Sequence, residues 1–122
     1  MNKNKKLILG STKDKQLILK TNTLNRHFAS FGSSGSGKTV LCKVLIEELS
    51  MAGIPVIAFD PQGDISSLAI SGDQHELEMN GADLAIQNDF NENVEVVIWT
   101  PGSSKGIPLS INPFQFEGIS NL

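Results

Sequence analysis

HFASFGSSGSGKTVLCKVL, residues 27–45, changes character twice. Apolar residues lead up to Gly32, small residues fill positions 33–37, and helical periodicity begins at Lys38. The middle stretch, Gly32-Ser33-Ser34-Gly35-Ser36-Gly37-Lys38-Thr39, matches G-x-x-x-x-G-K-[ST] in full. Each residue type has a chemical reason. Small residues let backbone N–H groups turn inward around a phosphate without Cβ clashes. A helix opening at about Gly37, through Lys38, Thr39 and Val40, offers unpaired N–H groups and the positive end of its dipole. The Lys38 ammonium suits the β- and γ-phosphates and is the expected catalytic charge, while the Thr39 hydroxyl suits Mg²⁺. A Gly/Ser linker would need neither the apolar approach nor the helix that follows. The expected nucleotide contacts are therefore Gly32, Ser34, Gly35, Ser36, Gly37, Lys38, Thr39 and Val40.

Outward from this loop, Val40, Leu41, Val44, Leu45, Leu49 and Ala52 recur at helical spacing and predict an amphipathic helix over 37–52. Gly53 and Pro55 supply its stop. Upstream, KKLILGS and KQLILKT flank Thr12-Lys13-Asp14 and read as a β-hairpin. HFASFG, PVIAFD and VEVVIWT read as three strands, the apolar runs fitting a parallel sheet covered on both faces. Asp64 is placed to cap a short helix over Ile65–Ile70, and a further helix is expected near Ala82–Phe90. IPLSINPF should be extended, because Pro108 and Pro113 exclude a regular helix. The order is α/β, with a parallel sheet flanked by helices and an N-terminal hairpin. Residues 1–25 form the hairpin segment and 26–122 the nucleotide-binding part.

VIAFDPQGD, residues 56–64, poses its own question. An apolar run ending in Asp60 looks like a Walker B strand, and Asp60-Pro61-Gln62-Gly63 fits the D-x-x-G of GTPases. No guanine-reading N-K-x-D follows, which removes the GTPase reading. Asp60 has the chemistry to hold Mg²⁺ through water. It could equally accept backbone N–H bonds, with Asp64 as a cap. His27 and His75 lack a second ligand at metal-binding spacing, and Trp99 and the six Phe read as core.

The chain has 122 residues, with 39% hydrophobic and 19% charged content, which suits one small packed domain. No apolar run reaches the roughly 18 residues of a membrane span, and no cleavage site follows the basic start. The single Cys42 can form no internal disulfide, in keeping with a cytoplasmic setting, and reads as a small buried hydrophobe. The net charge of −3 is split: residues 1–43 carry +8 and residues 44–122 carry −11. Such asymmetry can mark an anion-binding end. The plainer reading is solvated lysines beside acidic loops.

LNRHFASFGSSGSGKTVLCKVLIEEL, AFDPQGDISSL and VVIWTPGSSKGIPLSINPF, in this order, resemble the HerA–FtsK group of P-loop ATPases, HerA-type members most of all. The resemblance spans about residues 7–116. It implies a RecA-like core, ATP with Mg²⁺, a homo-oligomer as a hexameric ring, and action on duplex DNA alongside a nuclease, without a membrane. Conjugation and secretion ATPases share the same segments, and a non-motor nucleotide-binding or assembly protein is the other alternative. The group's core continues into a strand ending in Asp-Glu, a sensor strand and an arginine finger. The stretch after Asn112 supplies none of these, and Arg26 is the only arginine. The expectation is an incomplete core, the N-terminal part of the motor domain, with Asp60 and Asp64 as secondary acids. Hydrolysis would belong to a full-length form, and the isolated chain would turn over weakly or not at all.

Overall fold

The computed structural model describes residues 4–70, 72, 79 and 83–109. The hairpin forms as its sequence predicts. β1 (Lys6–Ser11) pairs antiparallel with β2 (Gln16–Lys20) in the register Lys6↔Lys20, Leu7↔Leu19, Ile8↔Ile18. The register then slips, so that Gly10 faces Leu17 and Leu9 is the extra residue of a bulge. Thr12 closes the turn: its N–H donates to the Lys15 carbonyl at 2.7 Å, and its hydroxyl accepts from the Lys15 N–H at 3.1 Å.

A 3-10 turn over Thr21–Asn25 ends the hairpin, and an extended stretch carries the chain to the glycine-rich loop. Helix α1 (Lys38–Met51) then runs as its periodicity requires, ending in a Gly53 whose N–H returns to the Ser50 carbonyl at 2.8 Å. α2 (Leu84–Asn93) starts where Asp83 accepts the Ala85 N–H at 3.0 Å, a side-chain cap on an otherwise orphaned donor. β1 and α2 both lie against α1. The Ile8 N–H donates to Glu48 Oε2 at 2.6 Å, and the Lys5 ammonium donates to the Ala52 carbonyl at the helix's negative end.

The parallel RecA-like sheet expected from the sequence is not the architecture observed. Among the described residues the sheet is the two-stranded antiparallel hairpin, accompanied by two short helices in a small α/β fold. HFASFG, PVIAFD and VEVVIWT form no ladder. A ladder needs a second backbone at about 4.8 Å, and the closest approach to one is a single parallel bridge between Trp99 and Ile107. Its bonds are Thr100 N–H to the Ile107 carbonyl at 2.9 Å and Ile107 N–H to the Ile98 carbonyl at 3.0 Å. The rest of IPLSINPF, from Ser110 on, and His75 lie outside the described residues.

Burial follows from this. Leu7, Leu45 and Phe90 are the buried hydrophobics among the described residues. Val56, Ala58 and Asp60 line a recess with Ile46, Leu68 and Phe90, while the alternate residues Ile57 and Phe59 stay 81% and 91% exposed. Phe31 is 92% exposed and Trp99 more than half exposed, so the reading of the aromatics as core holds for Phe90 and fails for these. Cys42 is half-buried rather than fully enclosed.

Burial at Glu47 on α1, with the neighbouring Glu48 charge, pushes its carboxyl above the ordinary value against the pull of Lys43. A raised carboxyl costs stability above its folded pKa and nothing below the unfolded value of about 4.3. Glu47→Gln should therefore raise the thermal midpoint at pH 7 and leave it unchanged at pH 3. Leu7→Ala should lower unfolding free energy by about 2–5 kcal/mol in urea titrations, whereas Leu17→Ala, at an exposed position near the turn end of β2, should stay within about 0.5 kcal/mol of the parent.

Candidate functional site

The loop between Gly32 and Lys38 closes on itself. The Ser36 N–H reaches the Ser33 carbonyl at 3.3 Å, and the Lys38 ammonium donates to that same carbonyl at 2.5 Å. Gly32 sits so close beneath this curl that a Cβ there would stand 2.3 Å from Ser36 Oγ and 3.2 Å from Ser36 Cβ. Rotating the hydroxyl would relieve the first contact and leave the second tight. Gly37 adopts a left-handed φ of 85°, a conformation that costs other residues a Cβ clash. No side chain caps the helix it precedes. The first N–H groups of α1, including those of Thr39 and Val40, are thus left for water or an anion. Gly32, Ser34, Gly35, Ser36, Gly37, Lys38, Thr39 and Val40 therefore lie together at one helix end, as their adjacency dictates. Glycine spacing and one long cation suit a small, multiply charged anion.

Asp60 builds a second loop. Its Oδ1 accepts the Gly63 N–H at 3.0 Å, and its Oδ2 accepts the Ile65 and Ser66 N–H groups at 2.8 Å each. Gly63 makes the turn possible with a φ of 83°. Desolvation at this inner position opposes ionisation, but the N–H groups of Ser66, Ile65, Gly63 and Asp64 outweigh it and hold the carboxyl below its ordinary value. The short helix expected after Asp64 is a 3-10 turn, Ser66–Ala69, and Asp60 rather than Asp64 satisfies its entry. The Asp64 carboxylate makes no bond within the described residues; its carbonyl accepts from Ser67 Oγ at 2.9 Å. A metal contact by Asp60 would have to share the carboxylate with three backbone donors.

Lys43 ties the two regions together: its ammonium donates to Ser67 Oγ at 2.8 Å, joining α1 to the Asp60 loop. Neither Lys43–Ser67 nor Glu48–Ile8 is legible from sequence, since each joins residues far apart in the chain through flexible side chains. Among the described residues no group of three His, Cys, Asp or Glu could hold a metal ion, and no helix is long and apolar enough to cross a membrane.

Residues 5–114 match the family described as Helicase HerA-like C-terminal. This match corrects one expectation: the segment corresponds to the region described as C-terminal in HerA-like helicases, not to the N-terminal part of a RecA-like core. No curated protein and no solved structure matches the chain.

The Asp60 geometry has a testable sign. A depressed carboxyl stabilises above its unfolded pKa of about 3.9 and loses that contribution as pH falls through the lower folded value. Asp60→Asn should lower the thermal midpoint at pH 7, and the gap to the parent should narrow between about pH 4 and pH 2. A gap that stays constant through that range would show that the charged carboxylate is not the loop's anchor.

Proposed function

The chain belongs to the Helicase HerA-like C-terminal family, and from that premise we propose that it is the ATP-binding module of a HerA-like, DNA-acting ATPase. The observation that carries this reading is the glycine-rich loop at the start of α1. Its tight Gly32, its left-handed Gly37 and a Lys38 ammonium folded onto the Ser33 carbonyl support the reading. In this reading the loop would take a nucleoside triphosphate with Mg²⁺, and its close curl depends on glycine at position 32, where a Cβ would meet the Ser36 side chain.

Bound ATP supplies a phosphoanhydride that can be cleaved by water. The chain's own contributions are local. Lys38 exchanges the Ser33 carbonyl for phosphate oxygens and stabilises charge that grows on the transferring group. The N–H groups of Gly35, Gly37, Lys38, Thr39 and Val40 orient the anion. The Thr39 hydroxyl would hold Mg²⁺, which would supply charge stabilisation on the phosphates, and Asp60 anchors the backbone of the second loop, its carboxylate a candidate to hold the metal through water. In this reading the protein works in the cytoplasm as a homo-oligomer, a hexameric ring, on DNA and with a nuclease partner. What supports these points is family membership and the resemblance of the three segments.

Calorimetric titration with Mg-ATP tests the cradle. Lys38→Ala should weaken binding by roughly tenfold to a hundredfold, the worth of one charged hydrogen bond. Thr39→Ala should remove the gain that Mg²⁺ confers while leaving metal-free ATP binding nearly intact. Equal heats for the parent and Lys38→Ala would sink the proposal.

A further inference from the structure

The outer face of the hairpin carries charge that nothing in the fold answers. Residues 4–26 hold six basic side chains against the single acid Asp14, and of these Lys5 is engaged by the Ala52 carbonyl. Leu7 is buried and Leu19 half-buried, so the alternate set, Lys6, Ile8, Ile18 and Lys20, faces away from α1. Ile8 and Ile18 are accordingly exposed. Lys6 and Lys20 stand directly opposite each other. Because the Thr21 N–H to Lys5 carbonyl bond marks the neighbouring pair as hydrogen-bonded, Lys6 and Lys20 form the closer, non-bonded type, with Cα atoms about 4.5 Å apart. Like charges so placed repel and destabilise the sheet. Among the described residues neither ammonium has an ion pair or hydrogen bond, and neither do those of Lys13 and Lys15 at the turn.

We propose that this face of the β1–β2 ribbon is a contact surface for the phosphate backbone of duplex DNA. The cations run from the turn to the Lys6–Lys20 pair, about 17 Å along the strand. That span covers some five phosphates of one DNA strand at roughly 3.4 Å each along the axis. Two recesses among the described residues draw on α1, α2 and the segments after residue 45 rather than on the hairpin. Two pairs of exposed cations at opposite ends of the ribbon suit a repeating anion that spans both better than a single anionic group. A two-stranded ribbon also has the width to enter a major groove. Lysines without a bidentate donor among them position a backbone and carry no base information. The inference rests on the DNA-acting part of the proposed function and is independent of nucleotide binding.

Fluorescence anisotropy of a labelled 20-base-pair duplex, titrated with the whole chain across a salt series, provides the test. In Lys6→Gln/Lys20→Gln the slope of log affinity against log salt should fall by roughly two, about one per phosphate contact, with affinity down roughly tenfold. Lys105→Gln, outside the hairpin, should leave the slope unchanged. Lys20→Glu converts the repulsive pair into an attractive one. It should raise the thermal midpoint while weakening DNA binding, which separates folding from contact. Binding that survives unaltered in the double variant overturns the assignment of this face while leaving DNA action standing. No binding by the parent at all overturns both. If instead sedimentation shows a salt-sensitive self-association that the double variant abolishes, with DNA binding unmoved, the face belongs to the acidic half of a second copy and the proposal fails.

Discussion

A carboxylate on an amide joins the two halves of this fold: Glu48 Oε2 accepts the Ile8 N–H at 2.6 Å, one helix side chain filling the outward donor of one strand. A two-stranded hairpin alone is marginal in water. Its inner side must rest on something, and α1 is what it rests on, with Leu7 buried and the Lys5 ammonium on the Ala52 carbonyl. The same helix carries the glycine-rich loop at its N-terminus, holds the Asp60 loop through Lys43 and Ser67, and meets α2. β1, α2 and both loops are thus referred to a single helix. The orientation of the loop's N–H groups is set by how firmly that helix is held.

The two loops use opposite strategies to satisfy backbone donors. In the Asp60 loop a carboxylate gathers three N–H groups, and the loop is internally complete. In the Gly32–Lys38 loop no side chain caps the helix, and the only long polar side chain donates rather than accepts. The second arrangement leaves its helix-end donors without a side-chain acceptor, where Asp60 fills the first. The contrast separates the roles of two stretches that look, in sequence, like two halves of one phosphate site.

Local features were legible because local chemistry determines them. The hairpin follows from two apolar runs about a Thr-Lys-Asp turn, and α1 from 3.6-residue spacing. The sheet was not legible in the same way. PVIAFD and VEVVIWT announce a demand for burial, but an apolar run does not name the backbone that pairs with it, and Ile57 and Phe59 are exposed where a covered strand was expected. Asp64 illustrates a smaller failure. Its position before Ile65 suited a cap, yet the longer reach back to Asp60 satisfied Ile65 and Ser66 instead. The family's name was legible from three segments in order, and the portion of the family to which they belong was not, since motif order says nothing of where in a longer protein the motifs lie.

The phosphate cradle is tested most directly by amide chemical shifts, residue by residue, as Mg-ATP is added to the isotopically labelled chain. The expected result is saturable movement concentrated at the N–H groups of Ser33 to Val40. Smaller shifts should follow at Ile65 and Ser66 through the Lys43–Ser67 link, and none in the hairpin turn at Thr12 to Lys15. Saturable shifts elsewhere, with the Ser33–Val40 amides unmoved, would contradict the assignment of this loop as the site.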